Sequence, residues 1–209
     1  MQIKRAGIVL WGDSVFFGYG ASNRNKGCAR LLKQKLADRP IIIKAKNLVT
    51  SRDAFKNIMT DVLSTDREMF NTVVMLFGNN DARLIGKDFP IVSVGEYKNI
   101  IIEIVHILKK DGRICYLANL QPIDEIKAIK TATESVGNMS SIKSPYRWHK
   151  QYSDACSEIA KAVSISLIDI RTPLEQSRRD IFFDDGMHPN NEGHEIICET
   201  IYNALNGRE

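Results

Sequence analysis

The chain has 209 residues, 44% hydrophobic and 26% charged, with 29 Lys and Arg against 25 Asp and Glu for a net charge of +4. That length suits one domain, residues 1–209, able to bury roughly 70% of its unfolded surface. Its cations are scattered, with no block longer than Lys109-Lys110 or Arg178-Arg179, which argues against a nucleic-acid partner. No apolar stretch approaches the roughly 18 residues of a membrane span. Met1–Arg5 leads into the first apolar run without a signal-peptide core, so a cytoplasmic protein is expected. Cys28, Cys115, Cys156 and Cys198 lack metal-binding spacing and read as free thiols.

Ile8-Val9-Leu10-Trp11 is an unbroken apolar run, the pattern of a strand buried on both faces, within a segment Ala6–Trp11. It stops at Gly12-Asp13-Ser14, where a glycine allows a sharp turn and leaves a serine at the strand's carboxyl end. Leu31, Leu32 and Leu36 mark a helix before the second strand, Ile41–Ala45. Ser51 stands as N-cap of the next helix, whose face is Ala54, Phe55, Ile58, Met59, Val62 and Leu63. Thr72–Phe77 is the third strand, followed by Gly78-Asn79-Asn80-Asp81. Ser93-Val94-Gly95-Glu96 is a capping-box pattern opening a helix with Tyr97, Ile100, Ile101, Ile104, Val105 and Leu108 on one side.

Arg113–Asn119 is the fourth strand. The stretch Leu120–Lys150, containing Pro122, Pro145 and Ser140-Ser141, reads as irregular, either a substrate-side insertion or a surface loop. Ala155, Ile159, Ala160 and Val163 mark another helix, Ser166–Ile170 the fifth strand, and Ile196, Ile197, Ile201 and Leu205 a C-terminal helix. Strands alternating with helices predict an α/β fold, a three-layer, doubly wound, flavodoxin-like parallel sheet of about five strands.

Such a sheet binds ligands beyond the carboxyl ends of its strands, where the strand order reverses. With strand order 2-1-3-4-5, the turns after the first and third strands are neighbours. A serine hydroxyl needs a base within hydrogen-bond reach and donors for the oxyanion that forms. The amide of Asn79 or Asn80 could be one donor. Asp185 and His188, three residues apart, fall on one face of a turn, where the carboxylate can fix the imidazole tautomer and leave Nε2 as a base. His106, His149 and His194 lack such a partner. Each of these turns is ordinary by itself.

Together, Gly12-Asp13-Ser14, Gly78-x-Asn80-Asp81 and Asp185-x-x-His188-Pro189 resemble blocks one, three and five of the SGNH (GDSL-type) hydrolases, from residue 8 to about 200. The resemblance implies the SGNH-hydrolase fold, Ser14 as nucleophile, His188 as base and Asp185 as its orienting carboxylate. It further implies an oxyanion hole made by the Ser14 N–H, the Asn80 side chain and a block-two glycine N–H. Block two departs from the usual Asn-x-Gly-x-Ser-Gly: here it reads Asn47-Leu48-Val49-Thr50-Ser51-Arg52-Asp53, with Ser51 at the glycine's place and its backbone N–H as the expected donor.

The function so implied is a serine esterase without metal or cofactor, acting on a small-molecule or carbohydrate ester, with small acyl groups such as O-acetyl favoured. Arg83 and the 120–150 stretch are candidate substrate contacts. Thioesterase or lysophospholipase activity on the same fold is the enzymatic alternative. A catalytically impaired carbohydrate-binding relative is the other, favoured only by the change in block two.

Overall fold

In the computed structural model, which describes residues 6–85, 89–134 and 144–207, the first apolar run becomes strand β1 (Ile8–Gly12), buried at all five positions. Parallel strands flank it on both sides: β2 (Ile41–Ala45), in register Gly12 to Ala45, and β3 (Thr72–Leu76), in register Gly12 to Leu76. An antiparallel pair of short strands, β4 (Leu84–Ile85) and β5 (Phe89–Pro90), follows β3. The main sheet continues through β6 (Ile114–Ala118) to β7 (Ser166–Ile168), also parallel, giving the order β2-β1-β3-β6-β7. Counted along the main sheet, that is 2-1-3-4-5, which places the switch point between β1 and β3.

Helices α1 (Ser14–Phe17), α2 (Cys28–Lys35), α7 (Arg171–Glu175) and α8 (Asn191–Leu205) pack with one another, and α3 (Ser51–Ile58), α4 (Val94–Lys110) and α6 (Pro145–Ala162) form a second group. The sheet lies between these two groups. The apolar stripe of α4 explains its docking: Tyr97, Ile101, Ile104, Val105 and Leu108 are all fully buried, each aliphatic member contributing about 1.5–3 kcal/mol. Trp11 packs edge-on to Phe77 at 5.1 Å between ring centres, and its indole N–H donates to Asp61 Oδ2 at 3.2 Å. The four cysteines are buried and free. No helix of the described residues is long and apolar enough to cross a membrane.

Gly12 is required by a close approach. A Cβ there would lie 2.7 Å from the Leu76 carbonyl oxygen on the adjacent strand. Gly78 is required by backbone conformation: its φ of +130° ends β3 in a region that side chains rarely adopt.

Two expectations change. The N-cap of α3 is Thr50, not Ser51: Thr50 has the extended backbone of a cap, and it forms a reciprocal box with Asp53, whose N–H donates to the Thr50 hydroxyl and whose carboxylate accepts from the Thr50 N–H. Ser51 is therefore the first helical residue. The stretch Leu120–Lys150 is also not simply irregular. It contains α5 (Glu125–Glu134) and the first turns of α6, where Ser144 caps and Pro145 takes the first helical position that proline tolerates best. Ser140-Ser141 and Met1–Arg5 lie outside the described residues.

Candidate active site

Helix α1 begins at the residue after Asp13, so the chain passes from β1 into a helix within a single turn. Asp13 is the cap, accepting from Val15 N–H at 3.0 Å. This places Ser14 at the helix start, where the first amides have no intrahelical acceptor. The Ser14 N–H has no partner among the described residues.

The loop before α8 supplies the other half. Its hydrogen bonds, Phe183 N–H to His188 O at 2.9 Å and Gly186 N–H to Phe183 O at 3.0 Å, fold it back on itself. Asp185 Oδ1 accepts the main-chain N–H groups of Met187 (2.8 Å) and His188 (2.9 Å), while Oδ2 faces His188 Nδ1 at 2.6 Å. On the far side of the ring, His188 Nε2 lies 2.9 Å from Ser14 Oγ. Residues 174 positions apart in sequence thus form one line of hydrogen bonds. Burial opposes ionisation of Asp185, but the His188 ring and the two amides hold its carboxyl below the usual range. The neighbouring Asp184 is exposed. Tyr19 packs its ring on the His188 imidazole at 4.4 Å between centres, a contact with no signal in the sequence.

The turn after β3 lies beside the turn after β1, as the strand order requires. Asn80 is buried and donates one Nδ2 hydrogen to Val49 O at 2.9 Å, leaving the second without a partner among the described residues. The expectation for Ser51 is not met. Its N–H donates to both oxygens of the buried Asp81, at 3.0 and 3.1 Å, and its hydroxyl also donates to Oδ1. A carboxylate already occupies the amide assigned to the oxyanion.

One residue further on, the picture reverses. In the first turn of α3 the Asp53 N–H reaches the Thr50 hydroxyl at 3.3 Å and the Ala54 N–H reaches Thr50 O at 3.0 Å. The Arg52 N–H has no partner among the described residues. It lies at the helix start, where the dipole favours an anion. The Arg52 side chain points elsewhere, into an exposed pair with Glu96 at 2.6 and 2.7 Å. Arg83 is exposed just beyond Asn80, and among the described residues only its main chain is hydrogen-bonded.

Two buried carboxylates support these turns. Burial pushes Asp13 up to about 6, against the Val15 N–H and the Asn79 amide, which pull it down. Burial likewise pushes Asp81 up to about 6, against the hydroxyl and N–H of Ser51, with the charge of Asp13 adding to the rise.

A serine in line with an imidazole and a carboxylate, beside unpaired N–H donors, is equipped for acyl transfer. Known proteins agree. Residues 10–196 match the profile of the GDSL-like lipase/acylhydrolase family. The chain is 24% identical to the GDSL esterase/lipase CPRD49 of Arabidopsis thaliana, an alignment covering 98% of this chain and 80% of that one. The lipase/acylhydrolase from Enterococcus faecalis shares the fold, with a TM-score of 0.74 at 21% identity over 97% of this chain and 96% of that one. So does the acetyl xylan esterase AlAXEase, with a TM-score of 0.72 at 19% identity over 95% and 99% of the two chains. The chain belongs to the GDSL-like lipase/acylhydrolase family and is an ester hydrolase.

Proposed function

We propose that this chain hydrolyses carboxylic esters through an acyl-enzyme on Ser14, and that its substrates carry small acyl groups such as the O-acetyl of a carbohydrate. The line from Asp185 Oδ2 through His188 to Ser14 Oγ, with separations of 2.6 and 2.9 Å, is the observation that carries the reading. Both distances are within hydrogen-bond range. His188 Nε2 takes the hydroxyl proton as Oγ bonds to the ester carbonyl carbon, and Asp185 stabilises the imidazolium that results. The carbonyl oxygen becomes an oxyanion. Its donors are the N–H of Ser14, the free Nδ2 hydrogen of Asn80 and, in place of Ser51, the N–H of Arg52. The intermediate collapses by breaking the bond to the leaving alkoxide, which receives the proton from Nε2. Water then repeats the sequence at the acyl carbon, giving the carboxylic acid and restoring Ser14.

With its N–H in place, Arg52 keeps block two functional despite the missing glycine. This favours a working enzyme over an impaired binding relative. The short-acyl preference rests on the family resemblance and on the shared fold of a protein named as an acetyl xylan esterase. Arg83, exposed next to the Asn80 turn, is the proposed substrate contact.

Hydrolysis of p-nitrophenyl esters of increasing chain length, with parent and Ser14→Ala, tests both parts. The expected result is a maximum at acetate or butyrate and a loss of about 10³-fold or more in the variant. Residual activity within about tenfold of the parent refutes Ser14 as nucleophile, and a maximum at octanoate or beyond refutes the small acyl group.

A further inference from the structure

Behind Ser14 the structure holds four polar side chains that the hydrolytic scheme leaves unused: the half-buried Asn79 and the buried Gln121, His149 and Arg171. Asn79 Oδ1 accepts from Gln121 Nε2 at 3.0 Å and from His149 Nε2 at 2.8 Å, and Asn79 Nδ2 donates to Asp13 Oδ2 at 2.9 Å. The other hydrogen of Gln121 Nε2 goes to Met187 O at 3.0 Å. Asp13 immediately precedes Ser14, and Met187 immediately precedes His188. Two amides in series, Asn79 and Gln121, therefore link the turn that carries the nucleophile to the loop that carries the base.

The orientation of each group follows from its partners. Ionised Asp13 can only accept, so Asn79 turns its NH₂ toward it and its oxygen toward Gln121 and His149. Burial, and the Arg171 guanidinium nearby, push His149 down to about 3, so its ring is neutral, with the hydrogen on the nitrogen that faces Asn79. Gln121 is itself held at the main chain, where Arg171 Nη1 donates to Gln121 O at 3.2 Å. Gln121 and His149 are 3% and 4% exposed, and Gln121 Oε1, His149 Nδ1 and Arg171 Nη2 find no partner among the described residues. Unpaired buried polar atoms cost stability, so apolar side chains would serve better if the position needed only filling.

We propose that Gln121 and His149 are positioning residues for ester hydrolysis: together they fix the Asn79 amide against Asp13, and Gln121 also ties this side of the site to the main chain before His188, setting the reach from Nε2 to Ser14 Oγ. The inference rests on Ser14 and His188 being nucleophile and base. It gives the otherwise unassigned 120–150 stretch a role, as the origin of both residues.

The test compares Gln121→Met, which keeps the length but removes both donors, with His149→Met, His149→Gln, Asn79→Ala and the double variant Gln121→Met/Asn79→Ala. Each is assayed with p-nitrophenyl acetate, with active sites counted by phosphonate labelling. The expected result for Gln121→Met and His149→Met is a fall of about tenfold or more in kcat per labelled site, with KM within about twofold. His149→Gln, which keeps an N–H for Asn79, should recover most of the loss, a rescue that simple cavity filling would not produce. The double variant should lose no more than its worse single member, because both changes break one chain. Gln121→Met within about twofold of the parent in kcat overturns the inference, as does a double loss equal to the product of the singles. Should Gln121→Met not fold, the His149 pair decides: equal activity of the Met and Gln variants overturns it. An active Ser14→Ala would instead bring down the nucleophile assignment, which keeps the two failures distinct.

Discussion

Replacing Arg52 by proline deletes one N–H and tests whether that N–H, rather than the Ser51 N–H, completes the oxyanion hole. Proline fits the first turn of a helix, where its missing N–H breaks no intrahelical bond. The lost donor is one of three, and removal of a single oxyanion-hole donor costs about 10²–10³-fold in kcat, or about 2.7–4 kcal/mol. Arg52→Ala is the control. It keeps the N–H and removes only the ion pair with Glu96, whose two side chains are 53% and 39% exposed, so that solvent screens the pair and its loss changes stability little. Ser51→Pro is the contrast, since its N–H serves the buried Asp81 and its loss leaves that carboxylate short of a donor at about 1–3 kcal/mol of folding stability. Steady-state kinetics on p-nitrophenyl acetate, with melting temperatures recorded in parallel, should show Arg52→Pro falling in kcat with a near-parental Tm and Arg52→Ala unchanged in both. If the Pro and Ala variants agree in kcat within about tenfold, the Arg52 N–H is not a donor to the transition state.

Asp185→Asn should lower kcat/KM far more than Asp184→Asn, on the order of 10³–10⁴-fold, because only Asp185 contacts His188; the reverse order in a side-by-side assay would shift the orienting carboxylate by one residue. Asp81 is raised from 3.8 to about 6, so its protonated form is favoured in the folded chain; its stabilising contribution is complete below pH 4 and is lost as pH rises through 6. Asp81→Asn should therefore gain on the parent with rising pH, by up to about 3 kcal/mol between pH 4 and 8 in urea unfolding, and a difference independent of pH would contradict this. Gly12→Ala would set a Cβ 2.7 Å from Leu76 O, so it should destabilise by about 1–3 kcal/mol or more; an unchanged urea midpoint would show that the strands can part there.

The sheet was legible because β1 and β3 are buried on both faces and so read as unbroken apolar runs, and their alternation with amphipathic stretches left few topologies. The meeting of Ser14, Asp185 and His188 in one hydrogen-bonded line was legible because side-chain chemistry at a fixed spacing is written in the residue types. The block-two position was misread by one: counted from Asn47, the last glycine of Asn-x-Gly-x-Ser-Gly falls on Arg52 and its serine on Ser51, and that count was the available signal. The cap was misplaced by one position because Thr50 and Ser51 are both competent; the residue three after Thr50 is Asp53, a carboxylate that closes the box, and that spacing was the available signal. Pro145 was counted within an irregular stretch, although Ser144-Pro145 is a common way to start a helix. His149 was set aside for want of a nearby acidic residue in sequence. Its partner, Asn79, is 70 positions away.

The two tryptophans offer an optical consequence. Trp11 lies in β1 at 1% exposure, whereas Trp148 on α6 is half-buried and donates its indole N–H to Ala82 O at 2.8 Å, next to the turn that carries Asn80. One fluorophore therefore reports the sheet and the other the attachment of that turn to α6. In Trp148→Phe, Trp11 alone should emit, from an apolar environment, and its red shift in urea should follow global unfolding. In Trp11→Phe, the Trp148 emission should shift at lower urea if the turn detaches from α6 before the sheet opens, and at the same urea if the two come apart as one cooperative unit.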